Sequence, residues 1–141
     1  ECKNKTQSEL YKKTLDWVAV TYNRPSAVIQ GQIENDYIRI EGFSKDLVAN
    51  GTKYQIEISF KDGKYKFDII QIEFWHDLDF PEPKWKKFDM INTNKYFDKE
   101  GKIKGRYKSV CSRITEYFNS LNSNLKDFIL SEQIPSNKKD W

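Results

Sequence analysis

Between Lys53 and Phe74 the chain alternates apolar and polar residues with the two-residue period of a half-buried strand. Tyr54, Ile56, Ile58 and Phe60 fall on one face, and Gln55, Glu57 and Ser59 on the other. Asp62-Gly63 follows, the pair favoured in a two-residue hairpin turn whose central positions need positive φ. With that turn Lys61 faces Lys64, Phe60 faces Tyr65, Ile58 faces Phe67 and Ile56 faces Ile69. The pairs on the Phe60 face are all apolar, so pattern and turn select one register. After Ile69 the apolar phase moves to Ile70, Ile72 and Phe74, which reads as a bulge or a sharp twist.

Two stretches carry helical spacing instead. Leu10, Tyr11, Thr14, Leu15, Trp17, Val18 and Tyr22 recur at steps of three and four, which places them on one broad face. Thr6 and Glu9 stand at capping-box spacing, and Pro25 ends the helix near Asn23. Near the other end, Tyr107, Val110, Cys111, Ile114, Tyr117, Phe118 and Leu121 form a second stripe. Leu125, Phe128 and Ile129 continue it past the interruption at Asn122-Ser123-Asn124. Between the first helix and the hairpin, Ala27 to Ile33 and Tyr37 to Phe43 predict two more strands. Gly31 marks a bulge, Asn35-Asp36 a turn and Asn50-Gly51 another. Lys86 to Ile91 is the candidate for a fifth strand, beyond Pro81 and Pro83.

The pattern therefore predicts an α+β domain: a helix, four or five antiparallel strands, then a helix, with both helices on the apolar face of the sheet. It spans residues 8–131, between a frayed tail at 1–7 and a polar tail at 132–141. A length of 141 residues fits one domain that needs no metal or disulfide to fold. Aromatic residues make up 15% of the chain, a large payload for the core. The net charge is only +3, from interleaved acids and bases, unlike the clustered basic surface of a dedicated nucleic-acid binder. No apolar run approaches the roughly 18 residues of a membrane-spanning helix. The chain starts at Glu1, as a processed or trimmed polypeptide does, which says nothing about compartment. Two cysteines, Cys2 and Cys111, are too few for a disulfide framework. A bridge between them stays open, and the helix-stripe position of Cys111 favours a small buried hydrophobe.

The order of elements resembles one repeat of the TATA-binding-protein (TBP) fold. The segments Leu10-Tyr11 with Trp17, Ala27-Val28-Ile29-Gln30, Tyr37-Ile38-Arg39-Ile40-Glu41-Gly42, and Phe60-Lys61-Asp62-Gly63-Lys64-Tyr65-Lys66-Phe67 carry the likeness further. They resemble a bacterial family of unknown function with a TBP-like fold, found in envelope-associated proteins of Bacteroides-type bacteria. The resemblance covers residues 8–74 well and the last helix loosely. It implies an exported protein, periplasmic, anchored at the outer membrane or secreted. It implies no activity and no functional residues.

Candidate chemistry is sparse. His76 is the only histidine, in Glu73-Phe74-Trp75-His76-Asp77-Leu78-Asp79. A metal-dependent hydrolase would have to use His76 with Glu73, Asp77 and Asp79, yet this set lacks the spacing of known metal motifs. No nucleophile elbow surrounds any serine, so no triad is legible. Nucleic-acid binding is the alternative the fold suggests. The outer sheet face reads Arg39, Glu41, Gln55, Glu57, Ser59, Lys66 and Asp68, alternating in sign and without an aromatic, and only Lys84, Lys86, Lys87 and Lys95 cluster. Nucleic acid is therefore not the expected partner. The segment from Trp75 to Trp85, with His76, Phe80, Pro81 and Pro83, is the best binding candidate, because aromatic loops make contact surfaces. The expected protein is a non-enzymatic, cofactor-free binding domain. Its partner is a protein, peptide or glycan, met through Trp75, His76, Phe80 and Trp85 or through an exposed strand edge.

Overall fold

A computed structural model describes residues 1–45, 47, 51–76, 84–88 and 97–131, of which 76, 84, 86 and 106 are described by their backbone. The elements are α1 (Gln7–Thr21), α2 (Pro25–Val28), β1 (Ile29–Ile33), β2 (Tyr37–Ser44), β3 (Thr52–Lys61), β4 (Lys64–His76), β5 (Lys84–Lys87) and α3 (Gly105–Leu130). The strands form one antiparallel sheet in the order β1-β2-β3-β4-β5, so each strand pairs with its neighbour in the chain.

The hairpin register is as the alternation predicts. Lys61 pairs Lys64, Phe60 pairs Tyr65, Ile58 pairs Phe67 and Ile56 pairs Ile69. Gly63 has φ of 76°, a left-handed turn position. The phase change after Ile69 is a bulge: Gln55 pairs Gln71 while Ile56 pairs Ile69, which leaves Ile70 without an opposite number. Ile70 is the residue the pattern misassigns. It is 42% exposed, whereas Ile72 returns to the core. The bulge at Gly31 also forms, between Ile29 and Gly31.

Three boundaries differ from the sequence reading. Residues from Pro25 begin a single helical turn instead of a strand, because Pro suits the first helical position. The fifth strand runs over Lys84–Lys87, earlier than Lys86 to Ile91, drawn there by pairing with the end of β4. The N-terminal residues are docked, not frayed. Cys2 is 1% exposed. Its N–H donates to the Gly63 carbonyl at 2.7 Å, and the Gly63 N–H donates to the Lys5 carbonyl at 2.8 Å. Asp62 Oδ1 accepts from the Gln7 N–H at 2.8 Å, and Thr6 Oγ1 from the Glu9 N–H at 3.1 Å, so hairpin and cap together satisfy the start of α1. Both cysteines are free, Cys2 buried and Cys111 half-buried.

Both long helices pack on one face of the sheet. The core gathers Leu10, Trp17 and Val18 from α1, Ile38, Ile40, Tyr54, Ile56, Ile58, Phe60 and Ile72 from the sheet, and Phe118, Leu125 and Ile129 from α3. Helix α3 runs unbroken through Asn122-Ser123-Asn124. These asparagines serve the core's polar heads. Trp17 Nε1 donates to Asn124 Oδ1 at 2.8 Å, and the Tyr65 hydroxyl to Asn122 Oδ1 at 2.7 Å. No helix among the described residues is long and apolar enough to cross a membrane.

Candidate functional site

Among the described residues, strand alternation leaves the second sheet face open. In β2, Ile38 and Ile40 point into the core, so Tyr37, Arg39, Glu41 and Phe43 stand on the other side. The register extends this face across the sheet. Phe43 pairs Lys53, Lys53 pairs Glu73, and Glu73 pairs Lys87. Trp75 and Trp85 pair in the adjacent row. The open face therefore does carry aromatics, Tyr37 and Phe43 on β2 and the Trp75–Trp85 pair on β4 and β5, which corrects the reading of an uninterrupted mixed-charge surface.

These rings are held in place. Trp75 and Trp85 meet edge to face with centroids 5.3 Å apart, and Phe43 meets Trp85 at 6.2 Å and 85°. Lys53 Nζ sits 4.9 Å from the Trp85 ring centroid, a cation over an electron-rich face. The same ammonium pairs with Glu73 Oε2 at 3.1 Å, and Gln71 Nε2 donates to Glu73 Oε1 at 2.6 Å. Both oxygens of Glu73 are thereby occupied. Gly51 closes the cluster. Its φ is 107°, its carbonyl accepts from the Trp75 N–H at 3.2 Å, and a Cβ there would come within 2.8 Å of the Phe43 ring. Phe43 is the most open of the three rings, 53% exposed.

Further along the face the charges are tied to one another. Arg39 meets Glu57 at 2.6 Å, Gln55 Nε2 donates to Glu41 at 3.1 Å, and Lys66 meets Asp68 at 3.0 Å. The hydrogen bond to Glu57 raises the Arg39 pKa, and the carboxylate's charge adds to this. At the hairpin tip a depression of about 410 Å³ is lined by Asp36, Ser59, Phe60, Lys61, Lys64, Tyr65 and Lys66. It contains none of the predicted site residues.

Of those residues, Trp75 and Trp85 are brought together. His76 occupies the β4 position opposite Lys84, and its side chain lies outside the described part of the structure. Phe80 lies outside the described residues, as do Asp77 and Asp79. Among the described residues, no group of three or more His, Cys, Asp or Glu side chains could hold a metal ion. Phe43, Lys53 and Gly51 are the members that sequence reasoning missed. Phe43 shares the phase of Arg39 and Glu41, so the alternation already placed it on the open face.

The core face holds a separate polar group. The hydroxyls of Tyr22 and Tyr54 lie 2.8 Å apart, and Tyr117 donates to Tyr54 at 3.1 Å. Burial pushes Tyr22 up to about 12, the hydrogen bond with Tyr54 working against it. Burial also pushes Tyr54 up, reinforced by the neighbouring Tyr22. Tyr22 and Tyr54 are thereby kept neutral, which suits a structural network and not proton transfer near neutral pH.

Residues 1–75 match the family model described as "Domain of unknown function (DUF4468) with TBP-like fold". The fold is also similar to the crystal structure of a TBP-like protein from Parabacteroides distasonis. The TM-score is 0.68 at 15% sequence identity, over 94% of this chain and 90% of that one. No curated protein matches the chain.

Proposed function

We propose, for a chain that belongs to this domain-of-unknown-function family with a TBP-like fold, a non-enzymatic binding role through the aromatic end of the open sheet face. The observation that carries the reading is the Phe43–Trp85–Trp75 cluster, which stands on the face away from both helices. Rings needed only for packing would turn toward the core, as Phe74 and Phe88 do. Pre-positioned, partly exposed aromatics lose little entropy when a partner settles on them. Glu73 is engaged by Lys53 and Gln71, so this carboxylate is not poised as an acid or base. A phosphate backbone laid along the face would meet Glu41, Glu57, Asp68 and Glu73, which disfavours nucleic acid. The same proposal includes the exported setting that the family resemblance implies.

The test measures binding of the purified domain to fractionated envelope material, with wild type beside Trp75→Ala and Phe43→Ala. Both variants should bind at least tenfold more weakly while keeping the wild-type circular dichroism. Undiminished binding by both would move the contact surface elsewhere.

A further inference from the structure

We infer that the chain associates with a second copy of itself: β1 of one copy pairs antiparallel with β1 of the other, about a two-fold axis at Gln32. Three features of this edge select that occupant.

The first is an open edge with outward backbone groups. Strand β1 closes one end of the sheet, and none of its residues is buried. Its sequence, Ile29-Gln30-Gly31-Gln32-Ile33, carries neither a charge nor a proline, two devices that guard an edge against another strand. The Ile33 carbonyl accepts from the Asp36 N–H at 2.9 Å, inside the turn to β2. Ile33 therefore directs its backbone groups toward β2, and strand alternation directs the N–H and carbonyl of Gln32 outward. Two Gln32 residues set opposite each other exchange both of these bonds, as a hydrogen-bonded antiparallel pair does.

The second is register. The bulge lies between Ile29 and Gly31, so Gly31 to Ile33 is the regular stretch of the strand. With Gln32 on the axis, Ile33 of each copy falls opposite Gly31 of the other. Ile33 pairs Tyr37 and Gly31 pairs Arg39, so both belong to the open face, and the pairing keeps that face continuous. Ile33 is 55% exposed. Gly31 offers no side chain against it, and the Tyr37 hydroxyl lies 3.8 Å from where a Cβ at Gly31 would stand. Ile33 of one copy thus covers Gly31 of the other and reaches its Tyr37 ring.

The third is the Gln32 side chain. The Tyr11 hydroxyl donates to Gln32 Oε1 at 3.1 Å, which fixes the carboxamide at the edge. Among the described residues, no group accepts from Gln32 Nε2. A carboxamide carries donors and an acceptor with two lone pairs, so it can bond its own symmetry mate, whereas a carboxylate or an ammonium here would repel its mate. Backbone, face and side chain are therefore all self-complementary at one register. A single short strand buries less than the roughly 800 Å² per partner of a standard interface, so the dimer is weak and concentration-dependent. Strand β5 is the opposite edge, so the two tryptophan pairs stand at the far ends of the joined sheet.

The experiment is sedimentation equilibrium of the whole chain at concentrations up to about 1 mM, which covers weak association. The average mass should rise from one chain toward two and go no further. Gln32→Glu and Gln32→Lys each set like charges across the axis and should weaken association at least tenfold, with the wild-type circular dichroism retained. An equimolar mixture of the two variants should restore it, because Glu then faces Lys. Ile33→Ser, which trims an exposed contact, should weaken it as well. A single-chain mass over the whole range overturns the proposal, and so does growth beyond two chains, which a closed two-fold pair forbids. A dimer undiminished in both charge variants, or a mixture that associates no better than its components, removes Gln32 from the axis and overturns it too.

Discussion

Gly42 and Tyr54 face each other across β2 and β3, and the Tyr54 ring occupies the space where a side chain on residue 42 would stand. Tyr54 is 1% exposed and stacks edge to face on Phe118 at 5.2 Å. Gly42→Ala drives a methyl into that ring, and the ring has helix α3 behind it. The expected cost is about 1–3 kcal/mol, as for other overpacked cores, read as a lower urea midpoint with an unchanged slope. A neutral result would mean that Tyr54 is not pinned between sheet and helix.

The bulge gives a sharper contrast. Ile70 and Ile72 are two residues apart, yet one is exposed and the other is buried at 1%. Ile72→Ala should cost about 2–5 kcal/mol, in line with other large-to-small core changes. Ile70→Ala should stay within about 0.5 kcal/mol, as at other exposed positions. Equal losses at the two sites would rule out the bulge.

Asp62 has two roles, one in the hairpin turn and one on the Gln7 N–H. Asp62→Ala should cost about 1 kcal/mol through the lost helix cap. Asp62→Asn, which keeps an acceptor, should recover most of it. Thermal denaturation of the two variants separates these outcomes.

High pH should destabilise the domain through its tyrosines. Tyr22 and Tyr65 are pushed up to about 12, mainly by burial, and Tyr54 is pushed up as well. In the unfolded chain these phenols ionise near pH 10. Above that pH the unfolded state holds fewer protons than the native state, so unfolding is favoured as pH rises. Their contribution is complete below about pH 10, and for Tyr22 and Tyr65 it is lost between about 10 and 12. Melting temperature against pH should be level through neutrality and fall in that window. Tyr22→Phe should flatten the fall, and an unchanged slope would remove Tyr22 from the cause.

The two thiols should differ. Cys111 is half-buried and Cys2 is buried under the hairpin turn. A thiol reagent should modify Cys111 in the native state and Cys2 only after local opening or unfolding. Equal rates would mean that residues 1–6 leave the hairpin readily.

The legible parts of the sequence were those where two local rules agreed. Ile56, Ile58 and Phe60 alternate, and Asp62-Gly63 supplies the matching turn, so the register could be written down residue by residue. The docked N terminus gave no such signal. Cys2 is one small apolar residue among polar neighbours, and its burial depends on backbone bonds to Gly63, sixty-one positions away. Strand β5 was obscured because Lys84-Trp85-Lys86-Lys87 alternates only once and depends on β4 for its partners. For the site, tryptophan content pointed to Trp75 and Trp85. Phe43, Lys53 and Gly51 come from strands that neighbour them only after folding.

The strand order has a kinetic consequence. Because each strand pairs with the next one in the chain, every sheet contact closes a short loop at small entropic cost. The long closures are left to the ends: residues 2–5 against Gly63, and Trp17 against Asn124. The meander should therefore assemble first, nucleated at the Asp62-Gly63 hairpin, with α3 and the N-terminal residues docking later. Ile58→Val should slow refolding, whereas Cys2→Ala should chiefly speed unfolding. The reverse pattern in stopped-flow traces would place the helices, and not the sheet, in the rate-limiting step.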